Sequence, residues 1–166
     1  MWKTAAALLA CAATVSAQKP GIAKNVEIRV LSTMLASAGI GEWGFAAVVD
    51  VDGHRILFDT GARPETALQN ARELKIDLAS ATDVILSHNH TDHTGGLLAL
   101  RRDAMKRNPA ALSKAHAGKG ILLDRPSGWM ARLKAEYEGT GGRIVEHEKP
   151  VEILPGVWLT GPVPRV

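Results

Sequence analysis

The run Val84-Ile85-Leu86 is wholly apolar and passes directly into Ser87-His88-Asn89-His90-Thr91-Asp92-His93-Thr94-Gly95-Gly96. A short apolar run of this kind reads as a strand buried on both faces, which needs a packed layer on each side of its sheet. Strand and helix signals interleave around it. Val26, Ile28 and Val30 alternate with polar residues, 45–51 reads as a second strand, and Asp52-Gly53 supplies hairpin-turn chemistry leading into a third strand over 55–58. Pro64 opens a helix in which Ala67, Leu68, Ala71 and Leu74 recur at helical spacing, and further helices are expected over 97–107 and 127–138. Val145, then Val151 and Ile153, then Val157 and Leu159 read as short strands around Pro155-Gly156. The class is therefore α/β or α+β, with helices packed on a sheet.

The chain has 166 residues, of which 46% are hydrophobic and 22% charged, enough for one domain with a real core and too apolar for wholesale disorder. The net charge of +3 is spread along the chain and aromatic residues make up only 4%, so no nucleic-acid surface is expected and a small-molecule partner is. Arg101, Arg102, Lys106 and Arg107 form the polar side of the 97–107 helix, read as a solvated face with a lesser role in attracting an anionic substrate. No apolar run reaches the length of a membrane span. Residues 1–17 instead carry a basic Lys3, an apolar stretch and Val15-Ser16-Ala17, the pattern of a cleaved secretory leader, followed by a linker over 18–24 and a domain over 25–166. This reading puts the protein in the periplasm or outside the cell. A second reading takes Leu8-Leu9-Ala10-Cys11 as a lipoprotein box that would anchor the chain through Cys11. Cys11 is the one cysteine, which excludes an internal disulfide framework and a cysteine-based zinc site.

The segment 88–93 concentrates three of the six histidines around one carboxylate, at the C-terminal end of a strand, where α/β folds gather ligands. In an extended segment His88 and His90 project to one side and can share a metal, with Asp92 and His93 placed to serve a second metal or to steer a water. Imidazole nitrogens with a carboxylate suit Zn²⁺ best, and iron or manganese next. Gly95-Gly96 is expected to let the backbone turn sharply, with the next helix aiming its N-terminus at the loop. Asp59, straight after the apolar Ile56-Leu57-Phe58, would be desolvated unless it met donors, and reads as a group that hydrogen-bonds a ligand or the loop backbone. A surface histidine cluster without a ligand, and a turn or helix-capping role for Asp59, are the plainer alternatives.

The strand ending in Asp59-Thr60-Gly61, followed by the 88–93 motif and Gly95-Gly96, resembles the metallo-β-lactamase superfamily. Glu42-Trp43-Gly44-Phe45 and the closing 159–165 segment are similar to its dihydropterin-ribofuranosyl-aminobenzene-phosphate-synthase-like subgroup. The resemblance implies the N-terminal part of an αβ/βα sandwich. It also implies a dinuclear centre, with His88 and His90 on the first metal, Asp92 and His93 on the second, and Asp92 acting on the attacking water. It further implies three later ligands, which this chain does not offer in family contexts. After His93 stand His116, a candidate ligand that could approach the site, and His147, read as an exposed turn residue; His54 reads as solvent-facing. The domain is therefore expected to be incomplete, with one sheet face left apolar and exposed. The function expected is an exported metal-dependent hydrolase with two zinc ions, in which metal-bound water or hydroxide attacks an ester, lactone, amide or phosphoester. The alternatives are a transfer enzyme acting on a pterin-like phosphate, a true zinc β-lactamase, and an inactive metal-binding fragment.

Overall fold

The computed structural model describes residues 20–123 and 128–163. The leader pattern with Cys11, the start of the linker and the expected helix start at Ser127 lie outside the described residues. Strands β1 (Val26–Ser32), β2 (Ala46–Val51) and β3 (His54–Phe58) form an antiparallel meander. Asp52 and Gly53 both take positive φ, 47° and 88°, the backbone that a two-residue hairpin turn demands. Asp52 also accepts the Lys24 and Asn25 backbone N–H groups, which ties the turn to the entering chain. From β3 onward the sheet runs parallel through β4 (Asp83–Leu86), β5 (Lys114–Gly118) and β6 (Arg143–His147). The order β1-β2-β3-β4-β5-β6 makes one mixed sheet, and β7 (Val151–Leu154) with β8 (Val157–Leu159) makes a separate hairpin.

The parallel strands are joined through helices α1 (Thr66–Glu73), the single turn α2 (Thr91–Thr94), α3 (Leu97–Ala104) and α4 (Trp129–Gly139). One sheet face carries Ala46, Val48, Leu57, Val84, Leu86, Ala115 and Ala117, and it forms the core with Ala67 and Ala71 of α1, Leu97 and Leu100 of α3, and Leu133 and Tyr137 of α4. The small residues on β5 bring helices close to the sheet, where packing is dense and each lost methylene is felt. The opposite face is unevenly covered. Ile56 and Ile85 are buried, whereas Val26, Ile28 and Val30 stand 58%, 62% and 44% exposed. No helix among the described residues is long and apolar enough to cross a membrane.

The α-helix expected over 97–107 closes at Ala104, and 105–107 continue as a turn. Arg101 corrects the expectation of a solvated basic face: it is 2% exposed. Its guanidinium donates to the Pro109 carbonyl at 2.8 Å, to the Ala111 carbonyl, and to Thr140 O and Oγ1 at 2.8 and 3.3 Å. The physical reason is that the α3–β5 loop and the end of α4 bring orphaned carbonyls together, and five N–H donors in a planar fork satisfy them. Arg102, Lys106 and Arg107 are exposed, as expected.

Candidate metal centre

The core strand β4 ends at Leu86, and the chain leaves it through Ser87 towards the ligand loop. His90 is extended, with φ −79° and ψ 147°, and its carbonyl accepts the His93 and Thr94 N–H groups, so α2 begins at once. That single turn folds Asp92 and His93 back over His88. The His88 and His93 rings lie 4.1 Å apart and the His88 and His90 rings 4.5 Å apart, centroid to centroid. One ligand atom from each of His88, Asp92 and His93 lies within 4.8 Å of the others. This group draws on both of the expected pairs: the helical turn, absent from an extended reading, joins His88 to Asp92 and His93.

Asp59 organises the two imidazoles. It is 1% exposed and sits at φ 53°, a left-handed backbone that short polar side chains tolerate. Its carboxylate accepts the Ser87 N–H at 2.8 Å and the Ser87 hydroxyl at 2.6 Å, and His93 Nδ1 lies 2.7 Å from Oδ2. Because a carboxylate accepts only, His93 carries its proton on Nδ1 and turns a bare Nε2 outward, 3.6 Å from Asp92 Oδ2. The Ser87 hydroxyl spends its proton on Asp59, so it accepts from His88 Nδ1, 2.9 Å away, and frees His88 Nε2 in the same way. Burial first, then neighbouring His93 and His90, holds the His88 imidazole below the ordinary histidine range, which keeps it a neutral donor. Two imidazoles and a carboxylate converging at this spacing fit a divalent transition metal.

Ser87 carries this arrangement and was not singled out from the sequence. The scaffold behind it draws on Glu42, Thr60, Gly61 and Gly95, which the sequence motifs contain, and on Asn70, which they do not. Buried Glu42 accepts from Ser32 Oγ, Ala62 N and Arg63 N at 2.7, 2.9 and 3.0 Å, which pins the 61–63 loop. Asn70 bonds Leu31 O and both backbone groups of Ile40, fastening the β1–β2 loop to α1. Thr60 donates twice to the His93 carbonyl and Gly95 donates to Gly61 O. Gly95 and Gly96 correct the expectation of a sharp turn. Both have ordinary right-handed backbones, φ −64° and −84°, but an added Cβ would meet the Ala62 and Thr60 carbonyl oxygens at 2.0 and 2.1 Å. The glycines allow close approach of two loops, which is a packing requirement rather than a conformational one.

His116 does not join the group. It lies on β5, with Nε2 at 3.0 Å from Asp83 Oδ1 and Nδ1 at 3.0 Å from His147 Nε2. His147 is accordingly the half-buried last residue of β6, not an exposed turn, because its ring has a partner on the neighbouring strand. His54 is exposed. The His116 hydrogen bond, ahead of the opposing effect of burial, holds the Asp83 carboxyl below the ordinary aspartate range. A lowered folded-state value adds stability that is present above that range and is lost as pH falls through it. Asp83→Asn is expected to cost about 1–2 kcal/mol near neutral pH, with the gap to the parent closing in acid; thermal melts from neutral pH down to pH ~3 read this directly.

A recess of about 740 Å³ opens beside His88, between 87–89, the 118–121 turn and the 158–163 tail. Phe58, Ile85 and Leu159 give it an apolar floor, and Asn89 and Lys119 add polar groups.

Residues 44–161 match the family model of the metallo-beta-lactamase superfamily. The 7,8-dihydropterin-6-methyl-4-(beta-D-ribofuranosyl)-aminobenzene-5'-phosphate synthase of Methanocaldococcus jannaschii is 31% identical over 155 residues, covering 86% of this chain and 52% of that protein. The chain spans about half the length of the curated relatives it matches. Among solved structures, a quorum-quenching N-acyl homoserine lactone hydrolase superposes with a TM-score of 0.52 at 16% identity, over 86% of this chain and 64% of that one. A diphosphatase of the PhnP family gives a TM-score of 0.52 at 16% identity, over 77% and 53%. At these identities the likeness is one of fold.

Proposed function

Because the chain belongs to the metallo-beta-lactamase superfamily, we propose that it is a metal-dependent hydrolase whose ion is held by His88, Asp92 and His93, with His90 beside them. The observation that carries this reading is the convergence of three ligand atoms within 4.8 Å, with Asp59 and Ser87 turning both imidazoles the right way round. When bound, a divalent ion supplies Lewis acidity, making water a nucleophile near neutral pH and polarising the scissile carbonyl or phosphoryl group. The chain's own residues do the rest. Asp59 and Ser87 fix the imidazoles, and Asp92 offers a carboxylate oxygen that holds or takes a proton from the attacking water. The recess beside His88 receives the body of an ester, lactone, amide or phosphoester substrate. Zinc, two ions in a full-length domain, is the favoured cofactor in this reading. The leader pattern of residues 1–17 puts the activity outside the cytoplasm.

A second reading, a transfer reaction on a pterin-like phosphate, is favoured by the 31% identity to the archaeal synthase. The test begins with chelation of the purified full chain and re-addition of zinc, manganese or iron. Turnover is then followed on an acyl homoserine lactone, a phosphodiester, a simple ester and nitrocefin. Loss on chelation and return with one metal is the expected result. Products formed only from a dihydropterin with a ribofuranosyl-aminobenzene phosphate favour transfer, and turnover indifferent to chelation overturns both readings.

A further inference from the structure

Asp83, His116 and His147 stand on adjacent parallel strands and form a diagonal chain across β4, β5 and β6 that the proposed hydrolysis does not use. The chemistry of the chain follows from its geometry. Asp83 Oδ1 only accepts, so His116 carries a proton on Nε2 and presents Nδ1 to His147 Nε2 at 3.0 Å. The two rings are nearly coplanar, at 19°, with centroids 5.3 Å apart. That separation is the nitrogen–nitrogen distance plus the two ring radii, so the facing nitrogens lie on the line between the ring centres. Two in-line imidazole lone pairs would need about 4 Å between nitrogens to share a zinc ion. At 3.0 Å they share a proton.

We propose that Asp83, His116 and His147 form a proton-operated latch, which holds the 118–123 loop against the metal-ligand loop near neutral pH and releases it in acid. With both imidazoles neutral, His147 donates to His116. One added proton reverses the bond, since a doubly protonated His116 donates to Asp83 and to His147 together. A second added proton puts N–H donors on both facing nitrogens, and the bond is lost. Release therefore waits for the second proton, which binds in a separate step to a pair already carrying one positive charge.

The output runs through the backbone. The His147 carbonyl accepts from Lys119 N at 2.9 Å, and at the far end of that loop Leu123 O accepts from Asn89 Nδ2 at 3.1 Å, between His88 and His90. The charged groups around the chain have their own engagements. Lys114 Nζ lies 3.9 Å from Asp83, Arg143 stands opposite Lys114 in the strand register, Glu146 accepts from Gly120 N, and Glu148 binds Lys119 Nζ. Burial first, then the facing His116, keeps His147 below the ordinary histidine range.

Hydrogen exchange of the 119–123 amides, corrected for intrinsic rates and measured on the full chain between pH 8 and 4, tests the latch without reference to metal or turnover. The parent is expected to lose protection about five- to tenfold on acidification. His147→Ala should show the open rate at every pH. His147→Gln keeps an N–H donor that cannot take a further proton, and should stay protected throughout. Exchange in the parent that follows intrinsic rates alone, or His147→Gln opening in acid as the parent does, overturns the proposal.

Discussion

Replacing His88 with alanine is expected to lower metal retention by more than about 100-fold, beyond what loss of an outer partner typically costs, and to reduce metal-dependent turnover to background. The effect is large because His88 is the member of the converging group that comes from the strand end, while Asp92 and His93 come from the helical turn. Its removal leaves two ligand atoms from adjacent residues, which hold an ion weakly. Asp59→Asn should be milder, about 10–100-fold in metal affinity, since an amide can still meet Ser87 while offering His93 a worse acceptor. Metal content after gel filtration and turnover at saturating metal measure both, with circular dichroism to confirm the fold. Equal retention in His88→Ala and the parent would remove the ion from this loop.

Arg101→Met should be the most damaging single change away from the metal loop, costing about 3 kcal/mol and lowering Tm by roughly 10 °C. Methionine fills much of the volume but leaves the carbonyls of Pro109, Ala111 and Thr140 without their donor in a buried setting. The loss would come from unsatisfied acceptors, not from a broken ion pair, because the guanidinium donates to carbonyls and a hydroxyl. Melting temperatures should therefore shift by a similar amount at low and high salt. A shift that salt largely erases would point to surface electrostatics instead.

Much of this was legible because its signals are local. The alternation of Val26, Ile28 and Val30, the Asp52-Gly53 turn and the apolar 84–86 run each depend on neighbours in sequence, and each became the element expected. The histidine-rich loop announced itself by composition. What escaped depends on partners distant along the chain. Arg101 resembles any arginine on a helix until the loop at Pro109 and the turn at Thr140 fold over it. The hydroxyl of Ser87 matters only because Asp59, on another strand, lies beneath it. His147 was misplaced for the same reason: its partner His116 is on the adjoining strand, and nothing near position 147 reveals that.

The sheet is divided at β3. On one side, β1, β2 and β3 pair antiparallel through the loop over 33–45 and the tight turn at Asp52-Gly53; on the other, every pairing spans a helical crossover. Short loops close quickly and distant ones slowly, so the meander can form while the chain is still emerging from the ribosome. Asp59 stands at the end of that early unit, a finished half of a contact whose other half, Ser87 and His93, arrives with the first slow strand. Docking of β4 and assembly of the metal-ligand loop are thus one event. A chain caught before it displays a bare β-sheet surface with an unpaired β3 edge, the species most apt to aggregate and to recruit chaperones.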